Sequence, residues 1–334
     1  MAPTTAVRAL AFHQPDTALR VTELPGLDRL SDTERECCVR LGIDEVRADA
    51  TLSAYDLAAG AAHRALGEAG LTAADVGALI VIEARAPQTL MSSTATRLQS
   101  QLGADRAVTF SVGGLGCVSL TPALLAARGL LAADGDMDHV LVAHGSKPPT
   151  PLRYRHPVTV SGDGGAAMVV SRSGPIRILD ILQATNGAYW DLFRVEYRDR
   201  PTDQWREECR EITGYTFTLA AETRHRLREM HRRLLERNGL DPQDISCYLS
   251  HNLSTGAFRF TEEALGIKIS NTCFDTLRQY GHLGPNDILL NLHAELGSGT
   301  LAQGQRAVLL SASPAAAWSM LLVETGDGAA THYL

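Results

Sequence analysis

The chain nearly repeats itself, and that constrains its fold more than any other feature. Residues 69–76 read AGLTAADV and residues 238–245 read NGLDPQDI, an offset of 169 residues. Further along, GGLGCV (113–118) aligns with GHLGPN (281–286), and DHVLVAHGS (138–146) with RAVLLSASP (306–314), both at an offset of 168. Ordered matches at one spacing point to a duplicated α/β unit whose two copies share one chain. Cys117 lies on the glycine-rich loop of the first copy and His282 on the matching loop of the second. Copies packed about a pseudo-twofold bring these loops together near the axis.

The pattern between the repeats alternates strand and helix, which argues for parallel sheets covered by helices. Residues 52–69 are rich in helix formers and end at Gly70, a plausible C-cap. The short apolar run at 78–84 reads as a buried strand. A helix is expected at 91–103, a strand at 107–112, a helix at 118–133 and a strand at 139–146. Residues 161–171 read as a turn feeding a strand, and 176–184 as another strand. The expected division is an N-terminal half over 1–172, carrying the cysteine, and a C-terminal half over 173–334, carrying the histidine loop. Residues 185–216 mix aromatics, arginines and acids without a period, and form an excursion. It is either a solvated loop or a lid or tunnel wall. Residues 217–237 read as a long amphipathic helix; its basic side is a solvated face or a surface for an acidic carrier protein.

The net charge of −7 gives no basic face for nucleic acid. The first residues lack an apolar signal core, and no membrane span is expected from the hydropathy of the chain. Cysteines 37, 38, 117, 209, 247 and 273 show no CxxC or other ligand spacing. They read as reduced thiols of a cytoplasmic protein, not as a disulfide frame or metal site. GDGG (162–165) lacks Rossmann spacing, and no P-loop occurs.

Cys117 follows a strand and a tight turn and begins a helix. There the positive end of the helix dipole favours thiolate, and free backbone N–H groups can hold an oxyanion. His282 and Asp287 stand five positions apart around Gly284 and Pro285. A turn there folds the carboxylate onto the imidazole, fixing its tautomer and leaving the other nitrogen as a base. Asp287 as a helix N-cap is the competing reading. His251 and Asn252 follow an apolar strand, at the carboxyl edge where ligands bind. They are candidate substrate-binding groups, against a purely structural histidine. His144 and His156 are read as structural.

The ordered set GGLGCVS, SGDGGAAMVV, SHN and YGH resembles ketoacyl-ACP synthase III enzymes of the thiolase superfamily. The resemblance implies a five-layered αβαβα fold and a homodimer. It also implies transfer of an acyl group from CoA or acyl carrier protein onto Cys117, with the family histidine falling on His251. No permanently bound cofactor is implied; the donor is a phosphopantetheine thioester. Condensing members carry Asn where this chain has His282, and that Asn helps stabilise the enolate formed by decarboxylation. The GHxGxxD loop is instead similar to a smaller branch, found in antibiotic biosynthesis, of Cys-His-Asp acyltransferases. Those pass an acyl group to a hydroxyl, amine or second carrier without decarboxylation. The residues carried over are Cys117, His282 and Asp287. Pro314 aligns where a backbone N–H would serve the oxyanion, and proline has none. The absence of a Trp and Arg pair near residues 30–40 leans toward a carrier-protein donor. The alternatives are a decarboxylative condensing enzyme and a non-catalytic partner subunit.

Overall fold

The computed structural model describes residues 5–326 apart from 88, 90 and 151. Nine strands form one mixed sheet: β1 (Thr5–His13), β2 (Ala78–Ile82), β3 (Val108–Val112), β4 (His139–Ser146), β5 (Gly164–Ser171), β6 (Ile176–Thr185), β7 (Cys247–Ser250), β8 (Arg306–Ser313) and β9 (Ala317–Thr325). Their spatial order is β7-β8-β9-β6-β1-β5-β4-β2-β3. The helices are α1 (Asp32–Val39), α2 (Ala54–Glu68), α3 (Thr94–Leu102), α4 (Leu120–Ala133), α5 (Ala220–Asn238), α6 (Thr255–Leu265), α7 (Asn271–Tyr280) and α8 (Asp287–Gly297).

The two copies of the first repeat fold alike, hydrogen bond by hydrogen bond. Gly70 N donates to Gly67 O, and Gly239 N to Glu236 O; Leu71 N donates to Leu66 O, and Leu240 N to Leu235 O. Thr72 and Asp75 then form a reciprocal capping box, as do Asp241 and Asp244. Each box opens a short 3-10 turn. Gly77 N then donates to His139 O, and Ser246 N to Arg306 O, which sets the register of β2 on β4 and of β7 on β8. Both of those pairs are parallel.

The expectation of parallel sheets holds only at the two ends. β5 runs antiparallel to both β4 and β1, β1 to β6, β6 to β9, and β9 to β8. Every residue of β5 and β9 is buried, so their continuous apolar runs look like parallel-sheet strands in the sequence. β1 and β6 pair over only three residues, Thr5–Val7 against Ile176–Ile178, and that seam joins the two ends of the sheet.

Helices stack in layers around this sheet. α2 packs on β1, β4 and β5, with α3 beside it; α5 packs on β6 and β9, with α6 beside it. Between them α4 covers β2 and β4 and reaches β6, while α8 covers β7 and β8 and reaches β1. The main apolar core lies there, with Leu120, Leu124 and Leu131 of α4 and Ile288, Leu292 and Leu296 of α8 all buried. A central helix is apolar on every side. That explains why the stretch Gly116–Ala133, at 18 residues, passes a length-and-hydropathy test for a membrane span that the sequence reading did not anticipate. Half of it is buried inside the fold.

The excursion begins after β6. Phe193–Val195 pairs with Glu207–Cys209 as a small antiparallel ribbon, and a π-helical turn, Gly214–Leu219, leads into α5. The amphipathic helix expected at 217–237 therefore starts at Ala220, with an irregular turn before it.

Candidate functional site

The two glycine loops fold as counterparts and face each other. Leu115, with φ −106 and ψ 13, opens a 3-10 turn at Gly116–Ser119; Leu283, with φ −108 and ψ 20, opens one at Gly284–Asn286. The first turn runs into α4, the second into α8. At Gly116 φ is +55, and a Cβ there would lie 2.5 Å from Ser313 Oγ. Only glycine accepts both conditions without strain. Gly281, at φ +60, ends α7 where a Cβ would meet Val160 O at 2.7 Å. This close approach lets His282 N donate to Val160 O and Gly162 N donate to His282 O, fixing the histidine loop to the segment after residue 159.

Cys117 Sγ lies 3.3 Å from His282 Nε2, and His282 Nδ1 lies 2.6 Å from Asp287 Oδ2. All three side chains are buried. Asp287 Oδ1 accepts from Leu283 N at 2.6 Å, and Oδ2 also accepts from Asn252 N at 2.8 Å. The carboxylate is held by two backbone donors while it orients the ring. Asn286 takes the N-cap position of α8, so Asp287 is the first residue of the helix, not its cap.

Burial on its own would raise the Cys117 thiol, yet the His282 imidazole, its hydrogen bond, Arg85 and Arg155 outweigh this and hold the thiol below its ordinary range. Burial likewise works against a charged His282, but Asp287 and the Cys117 sulfur push it up to about 9. The two directions agree on a thiolate–imidazolium pair. Four other thiols, three of them buried, go the opposite way. Burial pushes Cys38 and Cys273 up to about 12, and Cys247 and Cys209 also rise.

His251 lines an apolar cavity of about 330 Å3 together with Leu219, Phe260, Ser311, Ser313 and Pro314. Burial lowers its pKa to about 4, and its Nε2 has no hydrogen-bond partner among the described residues. Asn252, expected beside it as a substrate-binding group, is placed differently. Its Nδ2 donates to Thr276 Oγ1 and its Oδ1 accepts from Asn291 Nδ2. With those atoms engaged and the residue fully buried, it supports Asp287 through its backbone and does not line the cavity. Pro314 does line it, in the turn after β8, and offers no N–H.

A second, polar cavity of about 280 Å3 has Gly116, Arg85, Lys147, Arg155, His144 and His282 on its wall. His144 Nδ1 donates to Ile82 O at 2.9 Å, and burial lowers its pKa to about 4, so it is neutral there. His156 hydrogen-bonds Tyr154. Glu207, from the excursion, sits between Arg85 and Arg155, with Arg155 Nε 2.6 Å from its Oε1. Burial would raise its carboxyl; Arg155 and Arg85 outweigh that and hold it low. These three residues escaped the sequence reading. They come from three separate segments, and a charge in a loop without a period looks solvated. The excursion thus reaches the site: Glu207 pairs with the two arginines, and Tyr215 and Thr216 line the apolar cavity.

Residues 235–325 match the family "3-Oxoacyl-[acyl-carrier-protein (ACP)] synthase III C terminal". The chain is similar to beta-ketoacyl-[acyl-carrier-protein] synthase III of Campylobacter jejuni subsp. doylei, 26% identical over 326 residues, covering 96% of this chain and 98% of that protein. Among solved structures it is similar to ChlB3, named as an acyltransferase, with a TM-score of 0.84 and 21% identity, covering 98% of this chain and 99% of that one. It is also similar to FabH, 3-oxoacyl-(acyl carrier protein) synthase III, of Pseudomonas aeruginosa PAO1, with a TM-score of 0.77 and 20% identity, covering 97% and 99%. The fold is thiolase-like, and the similarity to synthase III proteins runs through almost the whole chain.

Proposed function

We propose that this ketoacyl synthase III-like chain is an acyltransferase that carries its acyl group on Cys117 and releases it without decarboxylation. The observation behind this reading is the buried line Cys117–His282–Asp287, at 3.3 and 2.6 Å. Asp287 holds His282, and His282 takes the thiol proton. The Cys117 thiolate attacks the carbonyl of a phosphopantetheine thioester on acyl carrier protein or CoA. A carbon–sulfur bond forms to Cys117 as the donor's breaks, and the donor sulfur leaves with the proton held by His282. The backbone N–H of Cys117 and the free Nε2 of His251 stabilise the developing oxyanion. His282 then removes a proton from a hydroxyl, amine or carrier thiol, and that acceptor displaces Cys117. The apolar cavity beside His251, with hydroxyls of Ser254, Thr223 and Ser313 among its apolar walls, suits the neutral pantetheine arm. A homodimer, a cytoplasmic setting and a role in secondary-metabolite biosynthesis, read from the resemblance to the antibiotic branch, belong to the same proposal, as do two halves over 1–172 and 173–334.

Incubating the protein with an acylated carrier and then an acceptor, and weighing both, tests this. Acyl mass appearing on Cys117 and moving to the acceptor without CO2 supports it. One observation favours a second reading. His251, its Nε2 unpartnered among the described residues, lies within the field of His282, and a decarboxylative condensing enzyme would need two such groups for an enolate. CO2 release from malonyl carrier by the acylated protein selects that reading.

A further inference from the structure

The polar cavity lined by Gly116 and His282 holds two guanidiniums, Arg85 and Arg155, and one of their donors is open. Arg85 and Arg155 share one carboxylate, Glu207. Arg155 is 2% exposed, and its Nη1 has no hydrogen-bond partner among the described residues. Its Nε faces Glu207 at 2.6 Å as an ion pair, but finds no acceptor in line for a hydrogen bond. A buried guanidinium with an open donor is costly to keep, because native structures satisfy nearly all such groups. Lys147, on the same wall, is engaged by the backbone oxygens of Asp49 and Leu52 and stands 3.6 Å from Asp163 Oδ2. Glu83, an acid on the wall, lies against Gly113. The open position therefore belongs to Arg155, within a cavity that also touches His282 and Gly116.

The pantetheine arm does not fill it. Between its phosphate and its sulfur the arm is uncharged, and the apolar cavity on the His251 side matches it. What lies beyond the sulfur is the acyl group. We infer that the polar cavity is an acyl subsite for a group ending in a carboxylate, received by the Arg155 guanidinium with Arg85 beside it. Planar guanidinium forks match carboxylates with two parallel hydrogen bonds. The inference rests on the acyl-enzyme reading above and names its substrate class. In the loading step the thioester carbon passes from the donor sulfur to Cys117 Sγ, the proton passes from His282 to the departing sulfur, and the distal carboxylate is unchanged.

Succinyl-CoA and butyryl-CoA, equal in carbon count, test it by intact-protein mass spectrometry of the full chain. The wild type should take the succinyl group faster by about ten- to a hundredfold, the range of a hydrogen bond to a charged group. Arg155→Met should bring the succinyl-to-butyryl ratio to about one, a ratio read within one protein and so independent of any change in the reactivity of Cys117. Glu207→Gln, which frees both guanidiniums, should raise the preference further. A wild type that accepts butyryl as fast as succinyl overturns the inference while leaving the acyl-enzyme reading standing. If neither group adds mass to Cys117, whether offered on CoA or on acyl carrier protein, the acyl-enzyme reading fails and this one with it. If Arg155→Met does not fold, the wild-type ratio and Glu207→Gln decide.

Discussion

His282 reaches Cys117 with Nε2 at 3.3 Å while its other nitrogen is held at 2.6 Å by Asp287, so one ring is fixed from both sides. The sulfur and the carboxylate both favour a charged ring, and the ring favours a charged sulfur.

Replacing Cys117 with Ala removes one of these anions. The His282 pKa should fall below its wild-type value of about 9, read from the imidazole proton shifts in an NMR titration. An unchanged titration would mean that the sulfur is not ionised. The same variant should gain no acyl mass.

The pair also sets how stability responds to pH. His282 is raised from 6.5, so its contribution is full below 6.5 and is lost as pH climbs through about 9. Cys117 is depressed from 9.0, so its contribution is full above 9.0 and is lost as pH falls through the lowered value. Above both 6.5 and the lowered thiol value, and below about 9, the folded and unfolded states hold equal numbers of protons on these two groups, and the pair adds no slope. In Cys117→Ala only the raised histidine remains, so stability should decline as pH rises from 6.5. Urea unfolding at several pH values measures this; a wild type that declines as steeply as the variant contradicts the paired state.

Asp287→Asn keeps the size of the side chain and removes its charge. The acylation rate should drop by about 10²–10⁴, with donor affinity little changed. Single-turnover acylation at varied donor concentration separates rate from affinity.

Selective alkylation distinguishes the thiols. At pH 6 iodoacetamide should label Cys117 before Cys38 and Cys273, whose thiols stand at about 12. Peptide mass mapping over time gives the order, and early labelling of Cys38 or Cys273 would oppose it.

Gly116→Ala meets two obstacles, the +55 φ and the Ser313 hydroxyl. The left-handed conformation alone costs about 1–2 kcal/mol for a residue with a Cβ. Adding Ser313→Ala should remove the clash and leave the conformational cost, so the double variant should recover part of the stability in urea.

Much of the site is legible in the sequence because its information is local and stated twice. Glycines at 116 and 284, leucines at 115 and 283, and the acids that close the boxes at 75 and 244 force the same backbone wherever they recur. The Asp287 spacing is legible for the same reason: five residues and a turn suffice. What escapes is assembled across the chain. Arg85, Arg155 and Glu207 carry no mutual spacing, and their charges acquire meaning only once the excursion folds over the cavity. The antiparallel middle of the sheet escapes because a strand buried on both faces reads alike in either direction. Asn252 was misjudged because its neighbour His251 does face the cavity, and successive residues at a strand end point apart.

β1 has a further consequence. It is made early, yet its neighbours in the sheet are β5 and β6, which the ribosome releases only after the first half of the chain has emerged. Until then its two edges stay open. During synthesis this strand is the segment most in need of a chaperone, and slowing translation ahead of β5 should raise aggregation more than slowing it after β6.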